Sequence, residues 1–116
     1  MASVDCIFCK ICAGSIPAPK LFEDDSVFAI ADIAPQAPTH ILVIPKLHIA
    51  SLWELEDERM AGRLLAVAAE LARGAGLDAG WRLIANTREH GGQEVLHLHL
   101  HVLGGRALGR MLSPRS

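Results

Sequence analysis

The sequence predicts an α+β fold: an antiparallel sheet of about five strands carrying one long helix and one short N-terminal helix. Two observations lead there. Helical apolar spacing occurs in two places only, residues 5–13 and 57–73, while short strand-like runs fill 21–23, 27–31, 40–44, 81–85 and 97–103. The resulting order is helix, strands, helix, strands, which favours an antiparallel sheet over a regular βαβ succession.

The elements follow in turn. Ile7, Phe8 and Ile11 share one helical face, and Gly14 stands where that helix stops. Pro17 and Pro19 force an extended path into Leu21-Phe22-Glu23, Asp24-Asp25 makes a turn, and Val27 to Ala31 forms the return strand. Pro35-Gln36-Ala37-Pro38-Thr39 is a rigid loop. His40-Ile41-Leu42-Val43-Ile44 is a continuous apolar run, hence a central strand, ended by Pro45. Met60, Leu64, Val67 and Leu71 mark the buried stripe of the long helix, acidic residues crowd its start, and Gly74 and Gly76 stop it. Trp81 to Ala85 is the next strand, a polar loop runs from Asn86 to Glu94, and the last strand spans 97–103 before Gly104-Gly105.

With 116 residues, 51% of them hydrophobic, the chain suits one domain with a core that needs no disulfide staples. We expect the domain to span 1–116, with a core of about 5–106 and a tail of 107–116. A net charge of −2 argues against non-specific nucleic-acid binding, which needs a basic surface. The N-terminal residues lack the pattern of a secretory signal, and no apolar run approaches membrane-spanning length. Cys6, Cys9 and Cys12, odd in number and crowded together, suggest reduced thiols or metal ligands in a cytoplasmic protein.

The segment His97-Leu98-His99-Leu100-His101-Val102-Leu103 carries the chemistry. Alternation on a strand puts the three histidines on one side and Leu98, Leu100 and Val102 on the other. The leucine side belongs to the core. The histidine side is costly to bury unless every ring nitrogen finds a partner. The bland alternative, a solvent-facing strand, is disfavoured by Gly91-Gly92-Gln93-Glu94 directly upstream, where close-approaching backbone N–H groups can hold an anion. Separately, Cys6-Ile7-Phe8-Cys9 is a C-x-x-C at metal-ligand spacing. Its alternative is a pair of reduced cysteines packed as small apolar groups, the reading we prefer for Cys12.

His-x-His-x-His followed by two apolar residues resembles the signature of the histidine triad superfamily. Asn86, Gly91 to Val95 and Leu103-Gly104-Gly105-Arg106 are similar to its Hint branch, the purine nucleoside phosphoramidases. So are Ile16-Pro17, Phe22 to Asp25, Asp32-Ile33, Pro35 to His40 and Val43 to Lys46, and the likeness runs from about Asp5 to Leu112. The resemblance implies a homodimer that binds a purine nucleotide (AMP- or GMP-like) and hydrolyses P–N bonds through a nucleotidyl-histidine. It implies His99 as nucleophile, His101 as phosphate ligand and His40 as a supporting histidine. It also implies a phosphate cradle of Asn86, Gly92, Gln93, Glu94 and Val95, Asp32 on the ribose, and base walls from Ile7, Phe8, Ile11, Ile16, Ile33 and Leu42. A nearby acid must protonate the departing amine, and another histidine is the natural donor. Zinc-bearing members imply four ligands: Cys6, Cys9, His48 and His97. No catalytic cofactor is expected.

Two departures stand out. Glu94 replaces a small hydroxyl residue found in some Hint proteins, and a carboxylate donates only when protonated. The tail, Gly109 to Pro114, lacks the tryptophan that some relatives carry near that end, so preference for the leaving amine is the least transferable property. Two other readings compete: a dinucleoside-polyphosphate hydrolase with the same triad, and a nucleotide-binding regulatory adaptor. Intact triad histidines and Asn86 speak against a dead site.

Overall fold

A computed structural model describes residues 5–113, and it bears out the α+β expectation. The described elements are α1 (Ile7–Ala13), β1 (Lys20–Glu23), β2 (Val27–Ala31), β3 (Thr39–Pro45), α2 (Glu58–Gly74), β4 (Trp81–Ile84) and β5 (Leu100–Gly104). Single 3-10 turns lie at Leu52–Glu54 and Glu89–Gly91. The five strands form one sheet in the order β1-β2-β3-β5-β4, and every neighbouring pair is antiparallel.

Strand alternation divides the core into two layers. Val27, Ala29, Ile41, Val43, Leu100 and Val102 face α2, whose Leu64, Val67, Ala68 and Ala72 pack against them. Phe28, Ile30, Leu42 and Ile44 face the other way and meet Phe8, Cys9 and Ile11 of α1. Because α1 is only seven residues long, it covers part of that second face. The register pairs Leu42 with His101 and His40 with Leu103, which puts His40 and His101 on the α1 side, beyond the helix.

Local chemistry places the helices. The Asp57 carboxylate caps α2 by accepting from the backbone of Arg59 and Met60, and Arg73 lies in the last turn, where a cation suits the dipole. The helix stops at Gly74, its last residue; Ala75 caps it and Gly76 follows at φ 72°. Met60 and Leu71, expected in the buried stripe, sit at its half-buried margin, while Ala68 and Ala72 take the buried centre. Small residues there let the helix lie close to the sheet.

The histidine segment departs from the expected strand 97–103. Only Leu100–Gly104 joins the ladder. Leu98 donates its N–H to the Ile49 carbonyl at 2.7 Å, so this stretch leaves β3 for the 49–51 segment. Alternation survives the departure, since Leu98 is still packed in the α2 layer. Beyond β5, Gly105 adopts φ +97°, and a Cβ there would lie 2.8 Å from Pro38, so the turn after the histidine strand needs glycine.

Candidate active site

A cleft of about 530 Å³ opens on the face that α1 leaves uncovered. A second cleft of about 520 Å³ lies beside Trp81, Arg82 and Arg106. Volume does not choose between them, but chemistry does: no histidine, cysteine or carboxylate lines the second. The first is lined from α1 by Ile7, Phe8 and Ile11 and from the sheet by Ile30, His40 and Leu42. Ala31 to Ala34 with Gln36 form its rim, and Asn86, Gly92, Glu94, Val95, His99 and His101 close the far wall.

The structure therefore brings together all but two of the residues expected around the nucleotide. Ile16 packs behind α1 in the apolar layer rather than in the cleft. Gln93 also turns away. Its Nε2 donates to the Ala50 and Val95 carbonyls and its Oε1 accepts from the Arg88 N–H, so the amide is consumed in bracing the loop. Ile30, Ala31, Ala34 and Gln36 were not anticipated. The parity of β2 carried a signal for Ile30, which shares a face with Phe28; the rim residues 34 and 36 carried none.

Hydrogen-bond partners fix the histidine tautomers. The Gln36 backbone N–H donates to His40 Nδ1 at 3.0 Å, so neutral His40 carries its proton on Nε2. That Nε2–H faces His101 Nδ1 at 2.9 Å and donates to it, which leaves His101 with a proton on Nε2. His99 Nδ1–H donates to the His97 carbonyl at 2.7 Å, so the lone pair of His99 sits on Nε2. The cleft wall thus offers one nucleophilic nitrogen and, from the adjacent ring 5.0 Å away, one N–H donor. Burial lowers the His101 pKa to about 4, helped by the neighbouring His99 and His40, so this ring is neutral near pH 7.

Asp32 accepts from the Ala34 N–H through one carboxylate oxygen and lies 3.4 Å from His40 Nε2 through the other. Asp32, His40 and His101 are close enough to suggest a cation site. The tautomers argue otherwise: with Nδ1 accepting from Gln36, His40 would have to become an imidazolate to offer Nε2 to a metal.

Cys6, Cys9, His48 and His97 form a second cluster, able to hold a metal ion. His97 Nε2–H donates to the Pro45 carbonyl at 2.8 Å, so its Nδ1 lone pair points at the others. Cys6 Sγ lies 3.1 Å and Cys9 Sγ 3.5 Å from that Nδ1, and His48 Nδ1 lies 3.1 Å from it and 3.3 Å from Cys9 Sγ. A tetrahedral ion with zinc-like bond lengths needs ligand separations of about 3.3 Å between nitrogens and about 3.5 Å from nitrogen to sulfur. The residues fit. Burial raises the Cys6 pKa and lowers that of His97 to about 4, so a metal would find one ligand already neutral and gain most from stabilising the thiolate. Cys6 also caps α1 by accepting from the Cys9 N–H, which ties the cluster to the helix.

The loop over the cleft holds one costly feature. Arg88 has φ 59° and ψ −172°, and among the described residues no other non-glycine has positive φ. Such a conformation costs a residue with a side chain about 1–3 kcal/mol. Its ion pair with Glu54 is largely exposed, and such pairs add little to stability.

A family model described as the HIT domain matches residues 13–108, and the chain belongs to that family. Over 110 residues, 92% of each chain, it is 50% identical to the purine nucleoside phosphoramidase of Escherichia coli strain K12. Its fold is similar to a histidine triad protein from Clostridium difficile (TM-score 0.90, 45% identity, 97% of this chain and 100% of that one). It is similar too to a HIT family hydrolase from Legionella pneumophila (TM-score 0.88, 48% identity, 90% and 96% covered).

The histidine pKa values carry a prediction. Because His101 titrates at about 4 in the folded protein against 6.5 ordinarily, the unfolded chain binds more protons between those values, and stability falls as pH falls through that window. Urea unfolding should show the protein less stable at pH 5 than at pH 7, by up to about 2 kcal/mol from this residue alone. His101→Gln should lessen that difference. Equal or greater stability at pH 5 would contradict the neutral, buried imidazole.

Proposed function

We propose that the protein hydrolyses purine nucleoside 5′-phosphoramidates in the His99 cleft, releasing a nucleoside monophosphate. The observation that carries the proposal is the His99 Nδ1–H bond to the His97 carbonyl, which leaves Nε2 as a lone pair at the cleft wall. The activity in the E. coli relative's name supports the substrate class.

In the proposed reaction the base lies against Ile7, Phe8, Ile11, Ile33 and Leu42, and the Asp32 carboxylate accepts from the ribose hydroxyls. His99 Nε2 attacks phosphorus, a P–Nε2 bond forms, and the P–N bond to the amine breaks. The His101 Nε2–H, with Asn86 and the N–H groups of Glu94 and Val95, stabilises the phosphoryl oxygens, while the N–H groups of Gly92 and Gln93, expected in the cradle, are taken by the Glu89 and Arg88 carbonyls. A ring with a pKa of about 4 holds no spare proton at neutral pH, so His101 acts as a hydrogen-bond donor and not as the acid. The departing nitrogen takes its proton from the solvent-open rim. Water then attacks phosphorus: an O–P bond forms, the P–Nε2 bond breaks, the water's proton passes to solvent, and the nucleoside monophosphate leaves neutral His99 behind.

Cys6, Cys9, His48 and His97 would hold zinc, which as a closed four-ligand site supplies structural cross-linking of α1 to the sheet. A homodimer is supported by β4, an edge strand whose Trp81 and Leu83 are each 38% exposed on the α2 face. One domain spanning the whole chain fits the single sheet.

His99→Ala should lower kcat/KM on adenosine 5′-phosphoramidate by at least about two to three orders of magnitude with little change in thermal midpoint. A near-unchanged rate would remove His99 as nucleophile. Wild-type preference for diadenosine polyphosphate in a parallel assay would move the protein to the dinucleoside-polyphosphate branch.

Protein purified without added metal should hold about one equivalent of zinc, and chelation should lower its thermal midpoint. Less than about a tenth of an equivalent would rule the zinc site out.

A further inference from the structure

The loop that brings Asn86, Gly92 and Glu94 to the cleft is fastened from behind. The Arg88 guanidinium stacks over the Trp53 ring, 5.4 Å from its centroid, and pairs with the Glu54 carboxylate. Glu54 is anchored by the Ser51 hydroxyl, and Ser51 is 2% exposed and caps the Leu52–Glu54 turn. These two contacts hold the Glu54 carboxyl below its ordinary pKa, so it stays ionised. On the loop side, the Arg88 carbonyl accepts from the Gly91 and Gln93 N–H groups, and Asn86 Nδ2 donates to the Gly91 carbonyl at 2.8 Å. Gln93 completes the tie by joining the Arg88 N–H to the Ala50 carbonyl.

We infer that Arg88 is a positioning residue for the nucleotide site, latched on Trp53 and Glu54 so that Asn86 and the Gly92 turn are held where a phosphate meets them. The inference rests on reading the cleft as a nucleotide site. Its backbone occupies a region that glycine adopts freely, and the chain uses glycine at positive φ four residues later, at Gly92. At position 88 it uses arginine, whose conformation is unfavourable and whose side chain has one evident use, the latch. Because Arg88, Gly91, Gln93 and Asn86 are joined by hydrogen bonds, releasing the side chain frees the turn that presents Gly92. Small misplacements of such groups cost binding and rate out of proportion to the displacement.

Arg88→Gly separates this role from plain bracing, because it removes the side chain and the unfavourable conformation together. AMP affinity, read by calorimetry, should weaken about tenfold, and KM for adenosine 5′-phosphoramidate should rise about as much. The thermal midpoint should stay level or rise, since the strain is gone. Glu54→Gln should produce a smaller loss of AMP affinity in the wild-type background and none beyond it in Arg88→Gly. AMP affinity within about twofold of wild type in Arg88→Gly would overturn the inference, whether or not the midpoint fell. Additive effects of the two substitutions would overturn it as well. Calorimetry needs no turnover, so wild type that binds AMP yet leaves the phosphoramidate intact would refute the hydrolase reading while still scoring the latch. Failure of wild type to bind AMP would refute both.

Discussion

A backbone carbonyl that accepts from a side chain two residues later decides what the site can do. His97 and His99 lie on the same side of one extended segment, and the His99 ring folds back to give its Nδ1 proton to the His97 carbonyl. That carbonyl is available because the segment has left the β3 ladder, with only the Leu98 N–H bonded across to Ile49. Had residues 97–99 continued as regular strand, inter-strand bonding would compete for the same carbonyl. The irregular backbone therefore fixes the His99 tautomer.

The same logic runs through the other rings. Pro45 holds the Nε2 proton of His97 and so turns its Nδ1 to Cys6, Cys9 and His48, while Gln36 sets His40 and His40 sets His101. Four imidazoles on one face present four different functions because each has a different partner. Burial keeps His97 and His101 neutral, and neutrality gives each ring one donor and one acceptor. Among the described residues no buried side-chain nitrogen or oxygen lacks a hydrogen-bond partner, as a cluster so costly to bury requires.

Much of this was legible in the residues. Alternation in 97–103 separated the histidines from Leu98 and Val102, and the apolar run 40–44 marked a central strand because both faces of β3 are buried. The spacing of Ile7, Phe8 and Ile11 gave α1, while their place in the cleft wall came from family resemblance. The metal cluster and the His40 role came from family resemblance, since nothing local joins residues 6, 40, 48 and 97. Illegible were the features set by long-range partners. The break at Leu98 depends on Ile49, the withdrawal of Gln93 on Ala50, and the conformation of Arg88 on Trp53 and Glu54.

Covalent chemistry at His99 is the centre of the account, and trapping tests it most directly. Protein mixed with adenosine 5′-phosphoramidate radiolabelled at phosphorus, quenched within a turnover and digested, should carry an acid-labile adenylyl group on the peptide containing His99. Mass spectrometry should place that group on His99, with none formed in His99→Ala. Phosphoramidate hydrolysis with no protein-bound label at any quench time, or label on His101 or His40 instead, would contradict it.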